Sequence, residues 1–327
     1  MPIDRPVAAD RLGRVDAGQN QHMTHEGAGH SPDPGQPAPS RVPRGRRAAW
    51  LRRQRRRAAV IATVSTALTV AAAVWGVTSA PGWDRVQRLF FDGDRFRDDF
   101  PELLRYLWVD VKLFVQCIPF ILAWGLALAL MRNARSPVLF PLRAFAAGYT
   151  DMFRGIPVVL TIYLVGFGIP ALDLFTGEIR VLGLGGSLNS VYLWGPIALV
   201  MSYSAYVAEV FRAGIEGVHE SQRAGARSLG LSQAQTMRYV VVPQAARRVV
   251  PPLLNDFLSL QKDVALLSFL GIIDVFRRAQ SIKDINANYT PYVAAAIIFL
   301  FLTVPLTRFV DWYTARHRRR TGGSLVA

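Results

Sequence analysis

Five side chains able to carry charge or hydrogen bonds, Arg154, Asn255, Gln261, Lys262 and Asp263, lie in segments of the chain that are otherwise apolar. A charge at the centre of a bilayer costs about 2.5–3.5 kcal/mol on insertion scales, so such groups pair with one another or line a cavity. Two readings stay open on the residues alone. The five mark a pathway along which a small polar solute meets compensating groups, or they form a structural ion network, for example Arg154 with Asp263. Glu209 and Arg212, at the end of another apolar segment, read as a structural or coupling pair rather than a solute site.

A different chemistry is suggested by the polar, Arg-containing stretch of about residues 212–249. A helix pattern from Ser221 to Leu229 is closed by Gly230, the residue that takes a left-handed conformation past a helix end at least cost. Ser232 with Gln235 is a capping-box signature, so a second helix starts at once. A helix–Gly–helix between apolar segments is placed to be touched from outside a membrane. Gly225 to Ser232 has phosphate-loop spacing, but Leu231 stands where that motif requires Lys, and no strand precedes it. The chain therefore has no nucleotide site of its own, and any chemical energy must come from a partner. The five His have no metal-ligand spacing, and no Ser/His/Asp arrangement fits one site. The single cysteine, Cys117, excludes an intrachain disulfide and reads as a buried apolar filler. Asn288-Tyr289-Thr290 matches a short glycosylation pattern that needs a eukaryotic secretory setting.

The elements that must position these groups follow from composition. The 327-residue chain is 51% hydrophobic yet carries a formal net charge of +15, the combination expected of a membrane protein with basic cytoplasmic segments. Residues 1–57 are rich in Pro, Gly, Ser, Gln and Arg and lack the apolar periodicity to build a core, so they read as a disordered basic tail. Their Arg52-to-Arg57 run precedes an apolar segment directly and reads as a positive-inside anchor rather than a nucleic-acid site. Residues 58–79 carry no charge and are long enough to cross a ~30 Å hydrocarbon layer. Residues 80–106 mix aromatics with charges and read as an amphipathic linker at the outer membrane surface. Further spans are expected near 109–131, 138–174 (kinked at Pro157), 192–211, 251–270 (opened by Pro251-Pro252) and 292–310. Residues 175–190 and 272–289 are expected outside, and 316–327 as a basic tail. Six spans put most of the Arg residues on one side, so both termini and the polar loop are predicted cytoplasmic. The fold class is an all-α integral membrane protein with six transmembrane helices.

Residues 206–271 resemble the cytoplasmic loop of permease subunits of type I ABC importers, in the branch that takes up polar amino acids. The match runs through Tyr206, Ala208, Glu209, Arg212, Gly214, Ile215, Gln222, Ala226, Leu229 and Gly230. It continues with Pro243, Gln244, Ala245, Pro251, Pro252, Leu253, Asn255, Lys262 and Asp263, and Phe153-Arg154-Gly155-Ile156-Pro157 matches upstream. Three positions depart from the family pattern: Ala224 replaces its Glu, Ser221 its Gly before Gln222, and Val264-Ala265 its Thr-Ser. The resemblance implies a five-helix permease core over 107–315, to which residues 58–79 add an extra span. It implies that Glu220, Ser221, Gln222, Ala224, Gly225, Ala226, Leu229 and Gly230 form a coupling surface for a separate ATPase subunit, which holds the ATP and magnesium. Glu220, four residues before Ala224, is the candidate to replace the missing Glu. A second permease subunit, identical or related, an extracytoplasmic substrate-binding protein and membrane lipid are the other implied partners. No nucleic acid, cofactor or metal of the chain's own is expected. The competing reading is a basic membrane-anchored scaffold or receptor without transport activity.

Overall fold

The computed structural model describes the backbone at residues 44–134, 136–174, 177–181 and 184–321, with side chains at 58–134, 136–174, 177 and 187–316. Most of the predicted N-terminal tail, and the last residues of the C-terminal one, lie outside the described residues. Helix α1 runs over Arg44–Thr78, and through Trp75 it belongs to a unit separate from the rest of the chain. Residues 44–57, read as part of a structureless tail, are its first turns, because the Arg that dominates there is a good helix former, as are Ala48, Ala49, Leu51 and Gln54. Within the span Thr63, Ser65 and Thr69 donate to carbonyls of their own helix at 2.8–3.0 Å, so these hydroxyls satisfy themselves locally.

The second unit holds α2 (Trp83–Phe90), α3 (Gly93–Arg132), α4 (Phe140–Gly155), α5 (Val158–Ala171), α6 (Val191–Glu216), α7 (Glu220–Ser228), α8 (Gln233–Thr236), α9 (Val242–Asp263), α10 (Val275–Asn286) and α11 (Thr290–Thr321). A π-helical turn, Met237–Val241, joins α8 to α9, and a 3-10 segment, Val264–Leu270, continues α9. The glycine-rich stretch expected as an outer loop forms a small antiparallel hairpin, β1 (Glu178–Val181) with β2 (Leu184–Ser187), in register Glu178 opposite Ser187.

Four stretches among the described residues are long and apolar enough to cross a membrane: Ala58–Thr78, Trp83–Arg132, Val191–Glu216 and Thr290–Arg316. Pro137–Gly155 with Val158–Ala171 makes a fifth if that bent pair counts as one span. The sixth expected span, 251–270, is helical, but α9 carries Arg247, Arg248, Asp256, Lys262 and Asp263 and is not apolar enough by composition. Its helix also starts at Val242, upstream of Pro251-Pro252, which sit inside it. The kink foreseen at Pro157 is a full break of 109° between α4 and α5. Ile156 takes an extended conformation (φ −92°, ψ 130°), as a residue before proline does. The linker read over 80–106 ends at α3, which begins at Gly93 with Asp92 capping Arg95 N–H.

The main core lies between α3, α5, α6 and α9, where Leu113, Ile121, Ile162, Leu199, Val207 and Leu260 are fully buried. Cys117 is buried there as expected, its thiol donating to the Pro196 carbonyl oxygen at 3.8 Å. Gly125 lets α3 and α6 approach closely: a Cβ there would sit 2.7 Å from Val207 Cγ1 and 3.2 Å from the Ser204 carbonyl. Val207 is stiff at χ1 and a backbone carbonyl cannot give way, so Gly125→Ala should cost about 1–3 kcal/mol. Melting in detergent checks this, with Gly148→Ala, where nothing lies within 4 Å of the added carbon, as the unaffected control. A second cluster packs Leu103 of α3 against Val275, Ala279 and Ile282 of α10 and Ala294, Ala295 and Ile298 of α11. Asp110 accepts from Val275 N–H at 3.3 Å, pinning α10 to α3, and Asp274 caps α10 through Arg277 N–H at 2.7 Å.

Candidate functional site

Helix α7 hangs from the end of α6 on a turn at Gly217–His219, with His219 Nδ1 accepting from Ser221 N–H. Its other end closes as the sequence indicates. Gly230 has φ +84°, its N–H bonds to the Arg227 carbonyl at 2.9 Å, and Leu231 N–H reaches back to the Ala226 carbonyl at 3.2 Å. That pair of bonds is a Schellman closure, which satisfies carbonyls a helix end otherwise leaves orphaned. Both bonds of the Ser232–Gln235 capping box form, at 2.8 and 3.3 Å, so the cap of α8 lies two residues beyond Gly230. The Gly225–Ser232 segment is thus helix and helix cap, not a strand-borne phosphate loop.

Ala226, 5% exposed, is the underside of α7, near a small cluster of Ile215, Val218, Val241 and Ala245. Arg223 ties the same helix to α6 by donating to the Ile215 carbonyl. Glu220, Ser221, Gln222, Ala224, Gly225, Leu229 and Gly230 are exposed, and Leu229, at 84%, is an apolar side chain held out in solvent. Seven of the eight predicted coupling residues therefore share the accessible side of the loop. Ala226 is an anchor instead, because it falls on the stripe of α7 that meets the core.

Beneath this loop Glu209 gathers the ends of three helices. Its carboxylate is in contact with Arg132 at the end of α3, takes two hydrogen bonds from Arg212 at 2.7 and 3.1 Å, and lies 3.8 Å from Arg154 of α4. Arg132 also donates to Thr150 of α4 at 2.7 Å, and Arg212 reaches Glu216 at 2.6 Å. The Glu209–Arg212 pair anticipated from sequence is present. The suggested Arg154–Asp263 pair is not: Arg154 faces Glu209, while Asp263 accepts from the Tyr203 hydroxyl at 2.8 Å. Arg132 falls just past the span expected near 109–131 and is not among the residues the sequence singles out. The signal for it was Glu209 itself, since a lone carboxylate in an apolar helix requires cationic partners.

The remaining polar residues of α9 divide by face. Gln261 is buried and accepts from Thr303 of α11 at 2.8 Å, a packing role. Asn255, Ser259 and Lys262, spaced i, i+4 and i+7, are exposed along one stripe. Removing the Tyr203 hydroxyl with Tyr203→Phe leaves Asp263 without its donor and should lower stability by about 1.5–3 kcal/mol, the range for a hydrogen bond to a charged group. Thermal unfolding in detergent measures it, and an unchanged midpoint would show the bond to be dispensable.

Residues 114–319 match the family model described as the inner membrane component of binding-protein-dependent transport systems. The chain belongs to that family. Among its relatives is the probable amino-acid ABC transporter permease protein PatM of Vibrio harveyi, 30% identical over 227 residues, covering 69% of this chain and 96% of PatM. Another is the probable amino-acid permease protein YxeN of Bacillus subtilis, 30% identical over 206 residues, covering 63% of this chain and 86% of YxeN. The solved structure described as an amino acid ABC transporter with histidines superposes with a TM-score of 0.60 at 29% identity, over 69% of this chain and 98% of that one. An inner membrane component of this kind is a multi-pass membrane protein that works with a substrate-binding protein and a separate ATPase subunit, where ATP is hydrolysed. The scaffold reading of the basic sequence finds no support in these matches.

Proposed function

We propose that this membrane component forms, with an identical or related permease, the pore of an ATP-driven importer for polar or charged amino acids. The observation that carries it is α7: a short helix closed at both ends, presenting Leu229 and its small, polar neighbours outward while Ala226 holds it to the body. The ATPase, holding ATP and magnesium, would grip this outer face. The Glu209 cluster would pass its displacement to α3, α4 and α6 as one rigid piece. The amino-acid substrate class is supported by the relatives named as amino-acid permeases. Asn255, Ser259 and Lys262 lie on a face that the single chain leaves uncovered, suited to a pathway or to the second permease. The charge distribution favours a cytoplasmic location for both termini and α7.

Crosslinking tests the docking face. Leu229→Cys, in a chain whose one natural cysteine is buried, should crosslink to the ATPase subunit. Ile285→Cys on α10, 78% exposed, should not. Crosslinking at Ile285 and none at Leu229 would reverse the assignment of sides. Deleting residues 1–45 should leave amino-acid uptake largely intact in a transport assay, whereas a scaffold working through its basic tail would lose its activity.

A further inference from the structure

One side of α7 faces a cleft of ≈ 310 Å³ that shares Glu220, but no other coupling residue, with the docking face. One wall is apolar, from Leu126 and Leu130 near the end of α3. A second is the charged side of α7, where Glu220, Arg223 and Arg227 share a face by their i, i+3 and i+7 spacing. The third is Thr236 with the π-helical turn that follows it. A single π turn inside a helix frequently marks a functional site, because it breaks the regular ladder to reposition side chains. Thr236 is 5% exposed, and its hydroxyl has no partner among the described residues. Arg223 Nε is likewise buried and unpartnered, and neither Arg223 nor Arg227 has a carboxylate within ion-pair distance among the described residues.

Those two atoms are closed off within the fold, so it is the charged heads of Glu220, Arg223 and Arg227 and the apolar wall that face the cleft. A simple anion would suit the two guanidinium groups but not Glu220 beside them. A cation would suit Glu220 but not the arginines. Opposite charges on one wall and an apolar wall across from them match a molecule with carboxylate, ammonium and side chain on one carbon. The volume is at the small end of ligand sites, as a single amino acid requires. We propose that this cleft binds a free α-amino acid, its carboxylate on Arg223 and Arg227, its ammonium on Glu220 and its side chain against Leu126 and Leu130. The occupant ties α7 to α3 and to the entry of α9.

Equilibrium binding of radiolabelled leucine and glutamine to the purified full chain in nanodiscs tests the site without any ATPase, so the result stands apart from the transporter reading. Arg227→Ala and Glu220→Gln should each weaken binding of at least one of them about tenfold or more, the scale of a lost charged hydrogen bond. Both side chains are at the surface, and unchanged melting would show that folding is intact. 4-Methylpentanoate, 3-methylbutylamine and inorganic phosphate should compete poorly, and phosphatidylglycerol in the nanodisc should not displace the ligand. Absence of binding, or binding equal in both variants, overturns the proposal. Competition by phosphate or phosphatidylglycerol, with binding of the anion tightened by Glu220→Gln, overturns it in favour of an anion or lipid-headgroup site.

Discussion

Glu209→Gln is expected to abolish uptake and to destabilise the folded chain. Glu209 is the carboxylate shared by Arg132, Arg154 and Arg212, and its side chain is only 17% exposed. Glutamine keeps the shape and loses the charge, leaving three guanidinium groups facing one another at the ends of α3, α4 and α6. Removing one partner of a buried ion pair costs about 3–5 kcal/mol. The partial exposure of Arg154 and Arg212 admits solvent screening, so about 2–4 kcal/mol is expected here. Glu216→Gln is the matched control: Glu216 is 52% exposed and pairs with Arg212 alone among the described residues, so its loss should cost about 0–1 kcal/mol. Melting in detergent and uptake in cells read both. Full stability and uptake in Glu209→Gln would show that the cluster is not the frame of the coupling loop.

Gly230→Val is expected to separate stability from transport. Gly230 sits at φ +84° between two capped helices, and a Cβ there would meet no atom within 4 Å. The obstacle is therefore conformational rather than steric crowding: the left-handed region costs an L-residue about 1–2 kcal/mol, and a β-branched side chain more. The chain escapes that strain by opening the Schellman closure, which removes the bonds to Arg227 and Ala226 and reorients α7. The core lies elsewhere, so melting should change little while uptake is lost. Gly230→Asn, which tolerates the left-handed region, should retain most uptake. Equal uptake in both variants would mean that α7 needs no fixed orientation.

What the sequence revealed and what it hid follow from the range of the forces involved. The loop was legible almost residue by residue, because Gly230, Ser232 and Gln235 act through bonds to backbone a few residues away. The break at Pro157 was placed correctly, but its size was not, since a proline fixes only the preceding residue and the 109° bend is set by what α4 and α5 pack against. The extent of α3 back to Gly93 and of α9 forward from Val242 was missed for a related reason. The aromatics and charges at the start of α3 resemble a surface segment until α10 and α11 pack on it, and the proline pair resembles a boundary until α9 packs on α6 through Val249. Arg154 was recognised as a charge needing a partner, but its partner lies on another helix, beyond what spacing along the chain can reveal. The same limit hid the division of α9 into a buried Gln261 and an exposed Asn255–Lys262 stripe.

The central claim, that α7 couples this membrane component to an ATPase, is tested most directly by purifying the tagged full-length chain in mild detergent from its native membrane and identifying what accompanies it by mass spectrometry. The account predicts a P-loop ATPase in stoichiometric amount, lost in Gly230→Val, with any second permease subunit deciding between a homodimeric and a heterodimeric pore. Reproducible absence of an ATPase from the wild-type preparation, with other proteins held through the basic N-terminal tail, would contradict it.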